Sequence, residues 1–112
     1  MEKIREVAAT IPPEDVFRPD ADLGPLTRYL QTQEPTGLTL RVPTLVAQGT
    51  DDTLVSKPST DHLVSSLCEK HPSIGYQVYE GADHRETVAG SLHDAEQFVD
   101  ALSSGRTPDA SC

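Results

Sequence analysis

Val42-Pro43-Thr44-Leu45-Val46-Ala47-Gln48-Gly49-Thr50-Asp51-Asp52-Thr53-Leu54-Val55 is the stretch on which the reading of this chain turns. It begins as a short apolar run behind a proline and ends in a glycine turn that delivers two adjacent carboxylates. A run of this length between turn signals reads as a fully buried strand at about residues 43–48. Such strands belong to parallel sheets covered on both faces. In open α/β sheets, chemistry collects beyond the carboxyl ends of the strands, and Asp51 and Asp52 fall at that edge.

Downstream of the acidic turn the pattern changes period. Leu63, Val64, Leu67 and Cys68 recur at helical spacing and predict the buried stripe of a helix over about 59–71, with Ser59 or Thr60 as its N-cap. His71-Pro72-Ser73 stops it. Ile74-Gly75-Tyr76-Gln77-Val78-Tyr79 then alternates aromatic and β-branched residues as a second strand, which Gly81 breaks. Val88, Leu92, Ala95, Val99 and Leu102 step by a helical period and predict a last helix at about 86–103, ended by Ser103-Ser104-Gly105. The order is strand, helix, strand, helix. A connection of about 25 residues that includes a helix makes the two strands parallel and its crossover right-handed. Both carboxyl ends then share one edge, so Asp83 and His84 emerge beside Asp51 and Asp52.

Upstream the pattern is sparser. Ile4, Val7 and Ala8 mark a short amphipathic helix over residues 2–10, stopped by Pro12-Pro13. Residues 11–41 are rich in Pro, Gly, Asp and Thr and hold one helical patch, Pro25–Leu30, with Leu26, Tyr29 and Leu30 on one face. So little regular pattern is unusual within a compact domain. Residues 1–39 therefore read as a cap- or lid-like segment of a larger protein, and residues 40–112 as the α/β portion.

The 112 residues suffice for one domain, and a hydrophobic content of 36% without tryptophan makes its core thin. Nine Lys and Arg against 18 Asp and Glu give a net charge of −9, which disfavours nucleic acid and a polybasic membrane anchor. No apolar run approaches the ~18 residues of a spanning helix. Met1–Val7 carries no apolar leader pattern. Cys68 and Cys112 fit either one buried thiol and one free thiol at a frayed end, or a disulfide that ties the tail to the body. Neither has zinc spacing.

A histidine that moves protons needs a carboxylate on one ring nitrogen, to fix the tautomer and stabilise the imidazolium. Neighbouring strands lie about 4.8 Å apart, so loops beyond their ends bring Asp52 and His84 within reach. The competing reading is an exposed acidic turn and an unrelated loop histidine. His62 and His93 read as solvated helix residues, and His71 as a charge near a helix C-terminus. Asp51, Asp52, Asp83 and His84 together have the oxygen donors of a calcium or magnesium site, but no dedicated loop motif accompanies them.

The wording of the two turns resembles the α/β-hydrolases. An apolar run followed by Gly-x-x-Asp-x-x-Val is their strand and acid turn, and Gly49, Asp52 and Val55 fall on it. Tyr79-Glu80-Gly81-Ala82-Asp83-His84 is similar to the strand exit that carries their histidine. Acid before histidine is their chain order. Gln48-Gly49-Thr50, Leu67-Cys68, Gly81-Ala82-Asp83-His84 and the closing Gly105, Pro108 and Cys112 most resemble the secreted microbial lipases. The likeness covers about residues 40–112 and is weak before them. It implies a partial α/β-hydrolase fold, with Asp52 as triad acid and His84 as base. It also implies a disulfide between Cys68 and Cys112, and an extracellular parent that hydrolyses lipid or other carboxylic esters with no cofactor and no metal.

The family's nucleophile sits in Gly-x-Ser-x-Gly, and no serine of this chain has those flanking glycines. The chain therefore reads as the carboxy-terminal part of such an enzyme, inactive alone and prone to self-association, with Met1 as an internal start. The alternatives are another α/β-hydrolase, such as a peptidase or small-ester esterase, and a non-catalytic remnant or interaction module.

Overall fold

The structure, a computed structural model, describes residues 2–112. The chain divides into two compact units between Glu34 and Pro35, ahead of the boundary expected at residue 39. The first unit contains α1 (Glu2–Ala9), a single 3-10 turn at Pro13–Asp15 and α2 (Gly24–Thr32). Both helices fall where the sequence pattern placed them, at residues 2–10 and around the Pro25–Leu30 patch. Asp22 Oδ1 accepts from Gly24 N–H at 2.9 Å at the start of α2, and Pro25 fits the first turn, where its missing N–H costs nothing. Ile4 and Val7 of α1 and Tyr29 and Leu30 of α2 are all more than half exposed.

The second unit is β1 (Thr44–Gly49), α3 (Lys57–Cys68), β2 (Ile74–Tyr79) and α4 (His84–Ser103). The strands are parallel, with Thr44 opposite Ile74 and Gly49 opposite Tyr79. The unit is therefore mixed α/β with a two-stranded parallel sheet. Side chains alternate across the strands. The even-numbered ones meet α3: Val64, Leu67 and Ile74 form the buried centre, with Val46, Tyr76, Leu63, Cys68 and Leu40 packed around it. Ile74 has no exposed surface. The odd-numbered ones meet α4, where Gly49 lies under Thr87 and Tyr79 under Gly90.

Each face is also pinned by a tyrosine of β2. Tyr76 Oη donates to Asp61 of α3 at 2.7 Å, and Tyr79 Oη donates to Asp94 of α4 at 2.6 Å. Burial, and next the adjoining carboxylate, push each phenol up to about 12. Both therefore stay protonated donors through neutral pH.

Three expectations are corrected. Helix α3 starts at Lys57, not 59, and ends at Cys68, with Ser56 in the N-cap position and Pro58 in the first turn. Ser59 pairs its hydroxyl with Ser56 Oγ at 2.7 Å, and Thr60 is buried instead of capping. Helix α4 starts at His84, not 86, because Asp83 and Glu86 make a reciprocal capping box. The strand β1 is half-buried over Thr44–Ala47 and fully buried only at Gln48 and Gly49.

The apolar stripe of α4 has an unexpected direction. The helix meets the sheet with Thr87, Ser91, Asp94, Phe98 and Ala101, all buried or half-buried. Val88, Leu92 and Val99, at 62%, 60% and 59% exposed, face away. Thr87 packs against Gly49, where no Cβ fits, and the apolar residues Val88, Leu92 and Val99 fall on the other side of the helix.

The sheet has two different edges. The outer edge of β2 is covered by the carboxy-terminal tail: Ser111 N–H donates to Ile74 O at 2.7 Å, and Tyr76 N–H donates to Ser111 Oγ at 2.9 Å. A disulfide between Cys68 and Cys112 ties this tail to the end of α3, with the Cα atoms 5.5 Å apart. No strand lies beside the outer edge of β1 among the described residues. No helix among them is long and apolar enough to cross a membrane.

Candidate active site

The acid turn is built from the end of β1. Thr50 N–H continues the ladder to Tyr79 O at 3.1 Å, so the chain is still held at the residue before the carboxylates. The Asp52 side chain then folds back onto its own turn. Its Oδ1 accepts from Leu54 N–H at 2.8 Å and from Val55 N–H at 2.9 Å, a local bonding that aspartate makes readily. The Gly-x-x-Asp-x-x-Val spacing thus has a direct structural content here. The Val55 backbone, three residues on, supplies one of the two amides that fix the carboxylate.

The histidine turn is fastened to the acid turn. Gly81, at φ 74°, takes the left-handed conformation that glycine tolerates. Its N–H donates to Thr50 Oγ1 at 2.8 Å, and Asp51 N–H donates to Ala82 O at 3.1 Å. Gly49 is required for this approach. A Cβ there would collide with Ala82 O and with Thr87 Oγ1, and would stand 2.9 Å from Ala82 C. Asp83 then accepts from Arg85 N–H and Glu86 N–H, both at 2.8 Å. That cap opens α4 with His84 as its first residue.

These two turns bring His84 Nδ1 to 2.8 Å from Asp52 Oδ2. The carboxylate oxygens are divided between the backbone and the imidazole. The Asp52 side chain is 4% exposed and that of His84 49%, so a shielded acid supports an accessible ring. The Val55 N–H is the largest influence holding the Asp52 carboxyl below the usual carboxylate range. Burial opposes it, and the bonds from His84 and from Leu54 N–H add to the lowering. Asp52 is therefore ionised at neutral pH and accepts a hydrogen bond from Nδ1–H. That fixes the neutral ring as the tautomer with its lone pair on Nε2, suited to receive a proton. Nε2 makes no hydrogen bond among the described residues.

The other candidates are not part of this pair. Asp51 is exposed and accepts from Thr50 Oγ1 at 3.2 Å. Asp83 is occupied as the helix cap. Among the described residues no group of three or more His, Cys, Asp or Glu is gathered to hold a metal. His62 is exposed, and His93 Nε2 lies 2.8 Å from Gln97 Nε2 on the surface of α4. His71 buries its Nε2 without a hydrogen-bond partner.

Two residues that sequence reasoning named only as an N-cap candidate (Thr60) and as part of a motif (Gln48) form a buried pair beneath the acid turn. Gln48 and Thr60 are 3% and 7% exposed and are hydrogen-bonded to each other. The available signal was a polar side chain inside an otherwise apolar strand, which burial obliges to find partners.

Comparison with protein-family models, with curated proteins and with solved structures finds no match to this chain. Its class therefore rests on the geometry itself: a mixed α/β unit with a carboxylate–imidazole pair at the carboxyl edge of two parallel strands.

Proposed function

We propose that this chain supplies the acid and base of a serine hydrolase of the α/β-hydrolase type, acting on carboxylic esters, with lipid esters as the substrate class and an extracellular setting. The observation that carries the reading is the 2.8 Å contact between His84 Nδ1 and Asp52 Oδ2, formed across two strand ends. His84 Nε2 takes the proton of a serine hydroxyl as it attacks the ester carbonyl, and Asp52 stabilises the imidazolium. His84 then returns the proton to the departing alkoxide. Water repeats the cycle on the acyl-serine, and the carboxylic acid leaves. The serine and the oxyanion donors belong, in this proposal, to sequence outside these 112 residues. The outer edge of β1, which has no strand beside it among the described residues, and the outward apolar stripe of α4 support further sheet and helix packing there. The Cys68–Cys112 disulfide supports an oxidising compartment.

The test is hydrolysis of short- and long-chain p-nitrophenyl esters. The chain alone is expected to stay at background. Joined to an upstream segment carrying Gly-x-Ser-x-Gly, it is expected to turn over. Turnover by the chain alone, abolished by His84→Ala, would show a nucleophile within these residues and overturn the division of labour.

A further inference from the structure

The acid turn has a second support, buried beneath it and separate from the acid–base pair. Gln48 is the last-but-one residue of β1 and points to the α3 side of the sheet. Its Nε2 donates to Gly49 O at 2.8 Å and to Val55 O at 3.1 Å. The two carbonyls lie at the beginning and the end of the turn that holds Asp52. One side-chain amide therefore bridges the mouth of that loop. The other end of the amide is also fixed: Thr60 Oγ1, in the first turns of α3, donates to Gln48 Oε1 at 2.5 Å. Thr60 can do so because α3 starts at Lys57, which places residue 60 inside the helix and against the strand.

We propose that Gln48 and Thr60 are positioning residues for Asp52: a buried hydrogen-bonded clamp that sets the Gly49–Val55 turn so that Leu54 and Val55 hold one carboxylate oxygen and leave the other to His84. This rests on the acid–base reading of Asp52 and His84. Val55 is the joint of the device. Its carbonyl is held by Gln48, and its N–H is held on Asp52 Oδ1 at 2.9 Å. The two groups lie on either side of the Val55 Cα, so releasing the carbonyl frees the residue to rotate about its backbone torsions, which loosens the amide that does most to lower the Asp52 carboxyl. Buried networks of this kind are costly when half satisfied and rigid when complete. All three polar contacts of the Gln48 amide are made by a residue only 3% exposed.

The experiment is NMR on the whole chain, following the Asp52 carboxyl titration and exchange of the Val55 amide. Gln48→Met removes the clamp and keeps the volume. Thr60→Val removes only the hydroxyl, and Thr60→Ser restores it. In both deleting variants the Asp52 midpoint is expected to rise toward the ordinary carboxylate value. The Val55 amide is expected to exchange roughly tenfold faster, the scale of one lost charge-assisted hydrogen bond. Thr60→Ser should return both to wild type. Val64→Ala weakens the same side of the core without touching the turn, and should leave the Asp52 midpoint unmoved.

An Asp52 midpoint unchanged in both Gln48→Met and Thr60→Val overturns the clamp while leaving the Asp52–His84 pairing intact. So does an equal shift in Val64→Ala, which would make the effect a general loosening. If Gln48→Met fails to fold, Thr60→Val and Thr60→Ser decide the matter by themselves. Failure of ester hydrolysis in the joined protein would remove the catalytic role and leave these readouts as they are.

Discussion

Cys112→Ser, or reduction of the Cys68–Cys112 bridge, is expected to lower the stability of the second unit by about 4 kcal/mol. The bridge spans 44 residues, and the chain-entropy estimate for a closed loop of that length is on the order of 4 kcal/mol. Domains of this size commonly have only about 5–15 kcal/mol in hand, so most of that margin is involved. The structural consequence is local as well. Without the bridge, only the Ser111 hydrogen bonds remain on Ile74 O and Tyr76 N–H, and their loosening opens the edge of β2. Denaturant unfolding of the oxidised and reduced protein measures the first effect, and exchange of the Tyr76 amide the second. A loss below about 1 kcal/mol would show that the tail docks without its covalent tie.

The larger effect is kinetic. If the chain is joined to an upstream Gly-x-Ser-x-Gly segment as proposed above, Asp52→Asn is expected to lower kcat by roughly 10⁴, the scale found when a triad acid loses its charge. His84→Ala should cost at least as much, since removal of either member disables a group that acts as a unit. Asp51→Asn is expected to stay within about threefold, because surface changes away from such features are usually small. Asp51 holds its place through its backbone N–H on Ala82 O, which the substitution keeps. The adjacent pair of carboxylates thus makes its own control. Equal losses in Asp51→Asn and Asp52→Asn would point to the charge of the turn as a whole and not to one positioned acid.

The β–α–β–α order of the second unit could be read from the sequence because each element has its own period. Leu63, Val64 and Leu67 step as a helix, and Tyr76 to Tyr79 alternate as a strand. Topology brought Asp51, Asp52, Asp83 and His84 to one edge, because parallel strands joined by a helix share their carboxyl ends; the choice of Asp52 as the partner of His84 came from the Gly-x-x-Asp-x-x-Val register of the resemblance. Other features depended on local contacts that periodicity does not carry. Ser59 and Thr60 were equally good caps by composition, and it was Pro58 in the first turn that marked the earlier start. The Asp83-x-x-Glu86 signature could have moved the start of α4 back to His84. The outward direction of Val88, Leu92 and Val99 could not be read at all, because a hydrophobic stripe states that something covers it and not which neighbour does. Gln48 was hidden because strand patterns count it as an interruption, and only the Thr60 hydroxyl and two loop carbonyls explain its burial.

The most direct test of the carboxylate–imidazole pair is proton NMR of the chain labelled with ring-¹⁵N histidine, comparing wild type, Asp51→Ala and Asp52→Ala. A hydrogen-bonded Nδ1 proton of His84 is expected in wild type and in Asp51→Ala, and is expected to be missing in Asp52→Ala. Its pH dependence has a definite sign. The folded carboxyl of Asp52 is depressed relative to an unfolded aspartate at about 3.9. The pairing therefore contributes its full stability above that unfolded value and loses it as the pH falls through the lower, folded one. The Nδ1 signal should accordingly persist at pH 4 and fade only below it. A signal that survives Asp52→Ala, or one that disappears in Asp51→Ala, would contradict the assignment of Asp52 as the partner of His84.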